Sequence, residues 1–339
     1  MLIVMHHKAS RADIGKVEKA IREMGLRPVA MPGAERTAIG VLGNEGWVDE
    51  SPFANIDGIL EMIHVTKPYK LASRDFHPGD TTVRLGKGVK VGGKSPFLVI
   101  AGPCAVEGRS QIMKVARYLK KLGVTVLRAG AYKPRTSVHS NQGMREAGIE
   151  LLREVRDETG ILIATEVMSP DQVGYVSERA DILQVGTRNM QNFDLLKELG
   201  KVKNPVILKR GLAATMDEWV ASAEYIMVGG NPNIVLCERG IRTFETATRN
   251  TADLAIIPLV KTITHLPVIF DPSHATGIRA LVAPMALASI MAGAHGMMVE
   301  VHPEPDRATS DGQQTLDFAA FRKLYRQVGA LSDFAGKLR

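Results

Sequence analysis

The chain has 339 residues, 45% hydrophobic and 23% charged, with a formal net charge of +7; that is the profile of a soluble globular protein with room for a barrel of about 250 residues plus a small domain. Only 5% of residues are aromatic and the basic ones are dispersed, which argues against a nucleic-acid partner and favours small anionic substrates. No apolar run reaches the ~18 residues of a membrane helix, residues 1–7 are too short and too soon polar for a secretory signal, and Cys104 and Cys237 are too few for a disulfide scaffold, so a cytoplasmic protein is expected.

From the N-terminus, residues 2–7 read as a strand and 10–24 as a helix. Ser10 is its N-cap, and Ile14, Val17, Ala20, Ile21 and Met24 form its apolar face. Strands near 27–31 and 36–42, a helical stretch near 50–56 and a strand at 59–66 complete the order βαββαβ, that of a ferredoxin-like domain. The mixed, polar segment 67–78 reads as a linker. The expected division is a small α+β regulatory domain over 1–70 and a catalytic unit over 71–339.

From residue 80 the pattern changes. Residues 82–91 read as a β-hairpin, after which eight short apolar strands alternate with amphipathic helices. The strands are expected at 97–101, 125–128, 161–165, 182–185, 206–209, 234–237, 268–270 and 297–301, with helices such as 111–122, 144–158 and 216–227 between them and a last helix from 318 to about 328. Eight βα units in succession specify a closed (β/α)8 TIM barrel. An open doubly wound sheet is the alternative, but no Gly-x-Gly-x-x-Gly turn follows an early strand.

Active sites of such barrels lie at the C-terminal strand ends, and here nearly every end carries a charged or metal-binding group. The cations Arg128, Lys133, Arg135, Arg188, Lys209 and Arg239 converge on one mouth, together with Glu166. Like charges at that density repel unless anions fill the site, and arginine forks bind phosphate and carboxylate in bidentate fashion. Strand alternation lets only one of Lys209 and Arg210 point inward; a salt bridge behind the barrel wall is the plain reading of Arg210.

A second group, Cys104, His274, Glu300 and Asp311, comes from the ends of the first, seventh and eighth strands and the loop after the eighth. Closure makes the eighth and first strands neighbours, so the four can meet. A thiolate, an imidazole and two carboxylates suit a divalent ion such as Mn, Fe, Co or Zn. Taken singly, Cys104 also reads as a small buried hydrophobe and His274 as a satisfied core histidine. Asp271, in Asp-Pro-Ser-His, is placed to orient the imidazole. Cys237 shares a strand face with Arg239, which aims it at the mouth or leaves it as a small core residue.

On these residues the chain resembles the 3-deoxy-D-arabino-heptulosonate-7-phosphate (DAHP) synthases of type I, in the microbial branch with an N-terminal ferredoxin-like domain. The motifs are Ala101-Gly-Pro-Cys, Gly130-Ala-Tyr-Lys-Pro-Arg-Thr-Ser, Leu236-Cys-Glu-Arg-Gly-Ile-Arg-Thr-Phe, Asp271-Pro-Ser-His and Val299-Glu-Val-His-Pro-Glu-Pro, with Glu35-Arg-Thr-Ala-Ile-Gly and Lys67-Pro-Tyr-Lys in the N-terminal part. The resemblance implies the first step of the shikimate pathway: phosphoenolpyruvate, D-erythrose 4-phosphate and water give DAHP and phosphate. It implies a metal on Cys104, His274, Glu300 and Asp311, phosphoenolpyruvate on Arg128, Lys133, Arg188, Lys209 and Arg239, and the erythrose phosphate on Arg135 and Thr136. A related octulosonate synthase typically reads Lys-Ala-Asn-Arg where this chain has Lys-Pro-Arg-Thr, so Pro134 and Arg135 favour the four-carbon aldehyde.

Lys133 is the candidate proton donor to the nascent alkoxide, and Glu166 the candidate for orienting or activating water. A homotetramer and an aromatic amino-acid effector are also implied, although the second strand, Arg27-Pro-Val-Ala-Met-Pro, offers an amino acid little polar chemistry. Two other functions compete: a catalytically silent barrel serving as sensor or scaffold, and a metal aldolase acting on a single phosphosugar, which needs fewer anion sites.

Overall fold

In the computed structural model, which describes residues 1–33, 35–44, 46–64, 67–133 and 142–338, the first helix starts where its capping chemistry dictates. The Ser10 hydroxyl accepts from the Asp13 amide and the Asp13 carboxylate accepts from the Ser10 amide, a reciprocal capping box. This helix, α1 (Arg11–Glu23), lies between strand β1 (Leu2–Met5) and strands β2 (Arg27–Pro32), β3 (Thr37–Leu42) and β4 (Ile59–Ile63). The four strands form an antiparallel sheet in the order β2-β3-β1-β4. Period-two alternation sends Ile3, Met5, Ile39 and Val41 to one face, where Val17 and Ile21 of α1 bury them.

The helix expected near 50–56 is instead a single 3-10 turn, Ser51–Phe53. Seven residues with a proline at the third position cannot propagate several helical turns. Phe53 still fills the core from that turn.

The chain divides into two compact units, Met1–Lys70 and Leu71–Arg339. The second opens with a segment whose later part is no free linker. Both oxygens of Glu224 accept backbone amides, from Leu71 and Ala72, at 2.8 Å each, and the Arg74 amide donates to the Ile263 carbonyl. A hairpin follows, β5 (Val83–Gly86) and β6 (Val89–Val91).

The barrel strands are β7 (Leu98–Gly102), β8 (Val126–Arg128), β9 (Leu162–Val167), β10 (Ile182–Val185), β11 (Val206–Lys209), β12 (Ile234–Glu238), β13 (Val268–Phe270) and β14 (Gly296–Glu300), all parallel and closed by pairing of β14 with β7. Around them run α2 (Arg109–Leu122), α3 (Arg145–Thr159), α4 (Gln172–Ser177), α5 (Phe193–Gly200), α6 (Met216–Val228), α7 (Ile256–Ile263), α8 (Pro272–Thr276), α9 (Arg279–Met291) and α10 (Phe318–Leu338). The last helix runs ten residues past the expected end near 328. Gly329 invites a stop, but Ala335 continues the buried stripe of Phe321, Leu324 and Val328, and packing against α9 outweighs the local glycine penalty of about 1 kcal/mol.

The barrel interior is filled by Leu98, Ile100, Val126, Leu162, Ala164, Ile207, Val235, Ile269 and Met298, with Val83, Leu85 and Val91 of the hairpin in the same cluster. Two residues beyond these interior positions, on the same strand faces, come Arg128, Glu166, Lys209, Asp271 and Glu300. One alternation therefore builds a dry floor and a charged mouth.

Candidate active site

Strands β7 and β8 approach so closely that a β-carbon on Gly102 would lie 2.2 Å from the Arg128 carbonyl oxygen. Only glycine fits there, and the close pass carries Cys104 beside Lys133 and the mouth. The Lys133 ammonium donates to the Cys104 sulfur at 2.9 Å and to its carbonyl at 2.8 Å. Asp311 Oδ2 lies 3.0 Å from the same sulfur.

The short helix α8 supplies the imidazole. Asp271 caps it by accepting from the His274 amide through Oδ1, while Oδ2 faces His274 Nδ1 at 2.7 Å. That oxygen also accepts from Lys209 Nζ at 2.6 Å. With Nδ1–H donated to Asp271, the Nε2 lone pair points the other way, 3.3 Å from Glu300 Oε1 and 3.9 Å from Asp311 Oδ2.

The donor atoms of Cys104, His274, Glu300 and Asp311 all lie within 4.8 Å of one another. Their electrostatics suit a cation. Burial, opposed by Asp271 and Glu300, lowers the His274 pKa, which favours the neutral form a metal ligand needs. Burial and then Glu300 push the Cys104 thiol up to about 11. For Asp311, burial is outweighed by His274, the Cys104 hydrogen bond and Arg249, which hold the carboxyl below the usual range. An imidazole lone pair, a sulfur and two carboxylates converging on one point are the donors a divalent transition ion takes, so this donor set fits a divalent metal.

The cations divide by partner. Arg128 Nη1 donates to Glu300 Oε1 at 2.9 Å, with both side chains 5% exposed or less. Arg239 is equally buried, yet among the described residues its Nε finds no acceptor and its Nη1 reaches only the Gly240 carbonyl at 3.4 Å. Burial lowers its pKa, so a guanidinium there calls for an anion. Arg188, on the 3-10 turn Thr187–Asn189, lines a cleft with Met190, Gln191, Leu212 and Ala214, and no ion pair joins it to a described residue. Glu166 faces Gly186, where a β-carbon would sit 2.0 Å from its Oε1, and Gln184 lies 3.5 Å from its Oε2.

Arg210 points the opposite way from Lys209. Its guanidinium bridges Glu238 at 3.1 Å and Asp253 at 2.7 Å outside the strand wall. Cys237 lies on the interior face among Ile207, Val235 and Ile269, where burial pushes its thiol up; both cysteines are free. Pro134, Arg135 and Thr136 lie outside the described residues.

Residues 80–334 match the family model of the DAHP synthetase I family, and residues 1–67 that of the DAHP synthase ferredoxin-like domain. The chain belongs to the DAHP synthetase I family. It is 48% identical to the phospho-2-dehydro-3-deoxyheptonate aldolase of Thermotoga maritima over 99% of both chains. The crystal structure of the Thermotoga maritima DAHP synthase superposes with a TM-score of 0.93, covering 99% of this chain and 97% of that one. A 2-dehydro-3-deoxyphosphooctonate aldolase of Syntrophobacter fumaroxidans is 33% identical, over 66% of this chain and 83% of its own. The DAHP synthetase I family is metal-dependent, and the described residues contain the Cys104 group as a place for the ion.

Some partners escaped the sequence reading. Gln314 donates to Glu300 Oε2 at 2.9 Å, Arg249 to Asp311 Oδ1 at 3.1 Å, and His302 stands 3.1 Å from Glu107. His302 lies in the Val299-Glu-Val-His-Pro-Glu-Pro motif, and Glu107 follows Ala101-Gly-Pro-Cys by three residues, which was the available signal; Arg249 and Gln314 lie in loops that offer none.

Proposed function

We propose that the barrel mouth condenses phosphoenolpyruvate with D-erythrose 4-phosphate and water, releasing DAHP and phosphate. The observation that carries the reading is the meeting, at adjoining strand ends, of a four-donor metal group with buried cations, joined by the 2.9 Å pair of Arg128 and Glu300. When bound, an Mn, Fe, Co or Zn ion supplies Lewis-acid polarisation of the aldehyde.

Arg128, Lys133, Arg188, Lys209 and Arg239 hold the phosphate and carboxylate of phosphoenolpyruvate, Arg239 contributing a fork that has no carboxylate partner among the described residues. So held, the C3 methylene faces the aldehyde carbon and forms the new bond. Positive charge develops at C2, water adds there, and phosphate leaves by C–O cleavage. Lys133, buried beside Cys104, delivers a proton to the aldehyde oxygen. Glu166, on the interior face of β9, orients the water. Arg135 and Thr136 take the phosphate of the four-carbon aldehyde, at a distance that Pro134 stiffens.

The test is phosphate release from phosphoenolpyruvate with and without erythrose 4-phosphate, before and after chelation. Release should need both the aldehyde and the ion. Release from phosphoenolpyruvate alone, no release at all, or full activity after metal stripping each defeats the proposal. Arg135→Ala should weaken the aldehyde chiefly; equal damage to both substrates places Arg135 elsewhere.

The ferredoxin-like domain carries regulation in this reading, with an aromatic amino acid as effector, in a cytoplasmic homotetramer. No helix among the described residues is long and apolar enough to cross a membrane. Sedimentation velocity checks the tetramer.

A further inference from the structure

Asp311 approaches Cys104 from an irregular segment. Past the bridge that pairs Val301 with Leu316, the chain makes an excursion whose only described helical piece is the 3-10 turn Pro305–Arg307. Asp311 sits there at φ +56°, in the left-handed region that a residue with a β-carbon occupies at a cost. A donor on such a segment holds its place only where the surroundings fasten it.

Glu107 does the fastening from the side of Cys104. Its Oε1 accepts both the backbone N–H of Thr309, at 2.7 Å, and the Thr309 hydroxyl, at 2.9 Å. Its Oε2 lies 3.1 Å from His302 Nε2. His302 Nδ1 accepts from the Glu304 amide at 3.0 Å, so Nε2 carries the proton and donates to Glu107. Glu107 is 16% and His302 6% exposed at the side chain, so the clip is largely shielded from water. Arg249 and Arg279 grip the excursion as well, at Asp311 and at Asp306 and the Gly312 carbonyl, but from the segment after β12 and from α9. Neither ties it to the segment of Cys104.

We propose that Glu107, with His302, is a positioning residue of the metal centre: it sets the separation of Cys104 and Asp311 by tying their two loops together. The inference rests on the metal-centre reading above. Cys104, His274 and Glu300 are held close to β7, α8 and β14, so loss of the clip releases Asp311 first.

Co2+-loaded, full-length protein tests this, because thiolate-to-cobalt charge-transfer absorption reports Cys104 while chelator competition gives the Co2+ dissociation constant. Glu107→Ala and the isosteric Glu107→Gln should keep the absorption yet bind Co2+ about 10- to 100-fold more weakly. The glutamine cannot accept from both Thr309 and His302. His302→Gln, whose amide N–H still donates to Glu107, should stay near wild type. An unchanged Co2+ dissociation constant in Glu107→Gln, even with a lowered melting temperature, overturns the inference and leaves a purely structural contact. Absence of the charge-transfer band in wild type, or its persistence in Cys104→Ala, overturns the metal-centre reading instead.

Discussion

Two arginines one residue-pair apart in role show how orientation decides consequence. Arg210 is buried outside the strand wall between Glu238 and Asp253; Arg239 is buried at the mouth with an Nε unmatched among the described residues. Removing one member of a buried, paired set leaves stranded charge, so Arg210→Ala should lose roughly 3–5 kcal/mol of stability by urea denaturation, with KM for phosphoenolpyruvate nearly unchanged once folded. For Glu238 this is compounded, since burial already raises its pKa against the pull of Arg210. Arg239→Ala should do the reverse: little change in stability, and a KM for phosphoenolpyruvate at least about tenfold higher, the equivalent of one charge-assisted hydrogen bond. Matching losses of stability in the two variants would contradict this division. Cys104→Ala belongs at the same scale. It should abolish metal content and turnover while the metal-free melting temperature stays close to wild type, because Cys104 lies at the strand ends outside the apolar floor of the barrel. Metal analysis of the purified variant checks it; full occupancy rules out Cys104 as a ligand.

Among the elements, the segment leading into the hairpin β5–β6 shows a buried histidine used as a fixed clamp. His265 Nε2 donates to the Leu71 carbonyl at 2.8 Å and its Nδ1 accepts from the Thr81 hydroxyl at 2.6 Å, which uses one neutral tautomer completely. Burial lowers its pKa, against the favourable Leu71 contact and with help from His77 and Arg74. An imidazole whose folded pKa is depressed binds its proton first in the unfolded state. Its contribution is therefore whole above the unfolded value of 6.5 and is lost as pH falls through the folded value. Urea midpoints measured from pH 7.5 down to 5 should fall in wild type more steeply than in His265→Gln. Parallel slopes would remove His265 from the acid response. The polar composition of 67–78 gives no hint of this clamp, because its partners Glu224, Ile263 and His265 lie about 150 to 195 residues away.

At the scale of the whole molecule, none of the strand-end groups lies in Met1–Lys70, and that unit has a core of its own around Ile3, Val17, Ile21 and Ile39. Deleting residues 1–70 should leave a folded, metal-dependent synthase that no longer responds to aromatic amino acids. A full-length enzyme indifferent to every aromatic end product makes the domain structural. A truncated barrel that keeps the whole response moves the effector site into the barrel.

The alternation of eight apolar strands with helices was enough to specify the barrel, because period-two and period-3.6 patterns are local and each βα unit repeats them. The same alternation placed Arg128, Glu166, Lys209 and Glu300 at strand ends, and the quoted motifs carried the family. Local signals failed where distant partners decide. The second helix of the small domain shrank to the turn Ser51–Phe53 because its seven residues could not propagate, and α10 ran through Gly329 because α9 supplied a packing surface. Which of Lys209 and Arg210 faces inward, and how Asp311 is brought to Cys104, were settled only by closure of the barrel. Each depends on a partner far along the chain, Asp271 for Lys209, Glu238 and Asp253 for Arg210, Thr309 for Glu107. A hydrogen bond acts over about 3 Å of space, and sequence separation carries no information about that distance until the chain has folded.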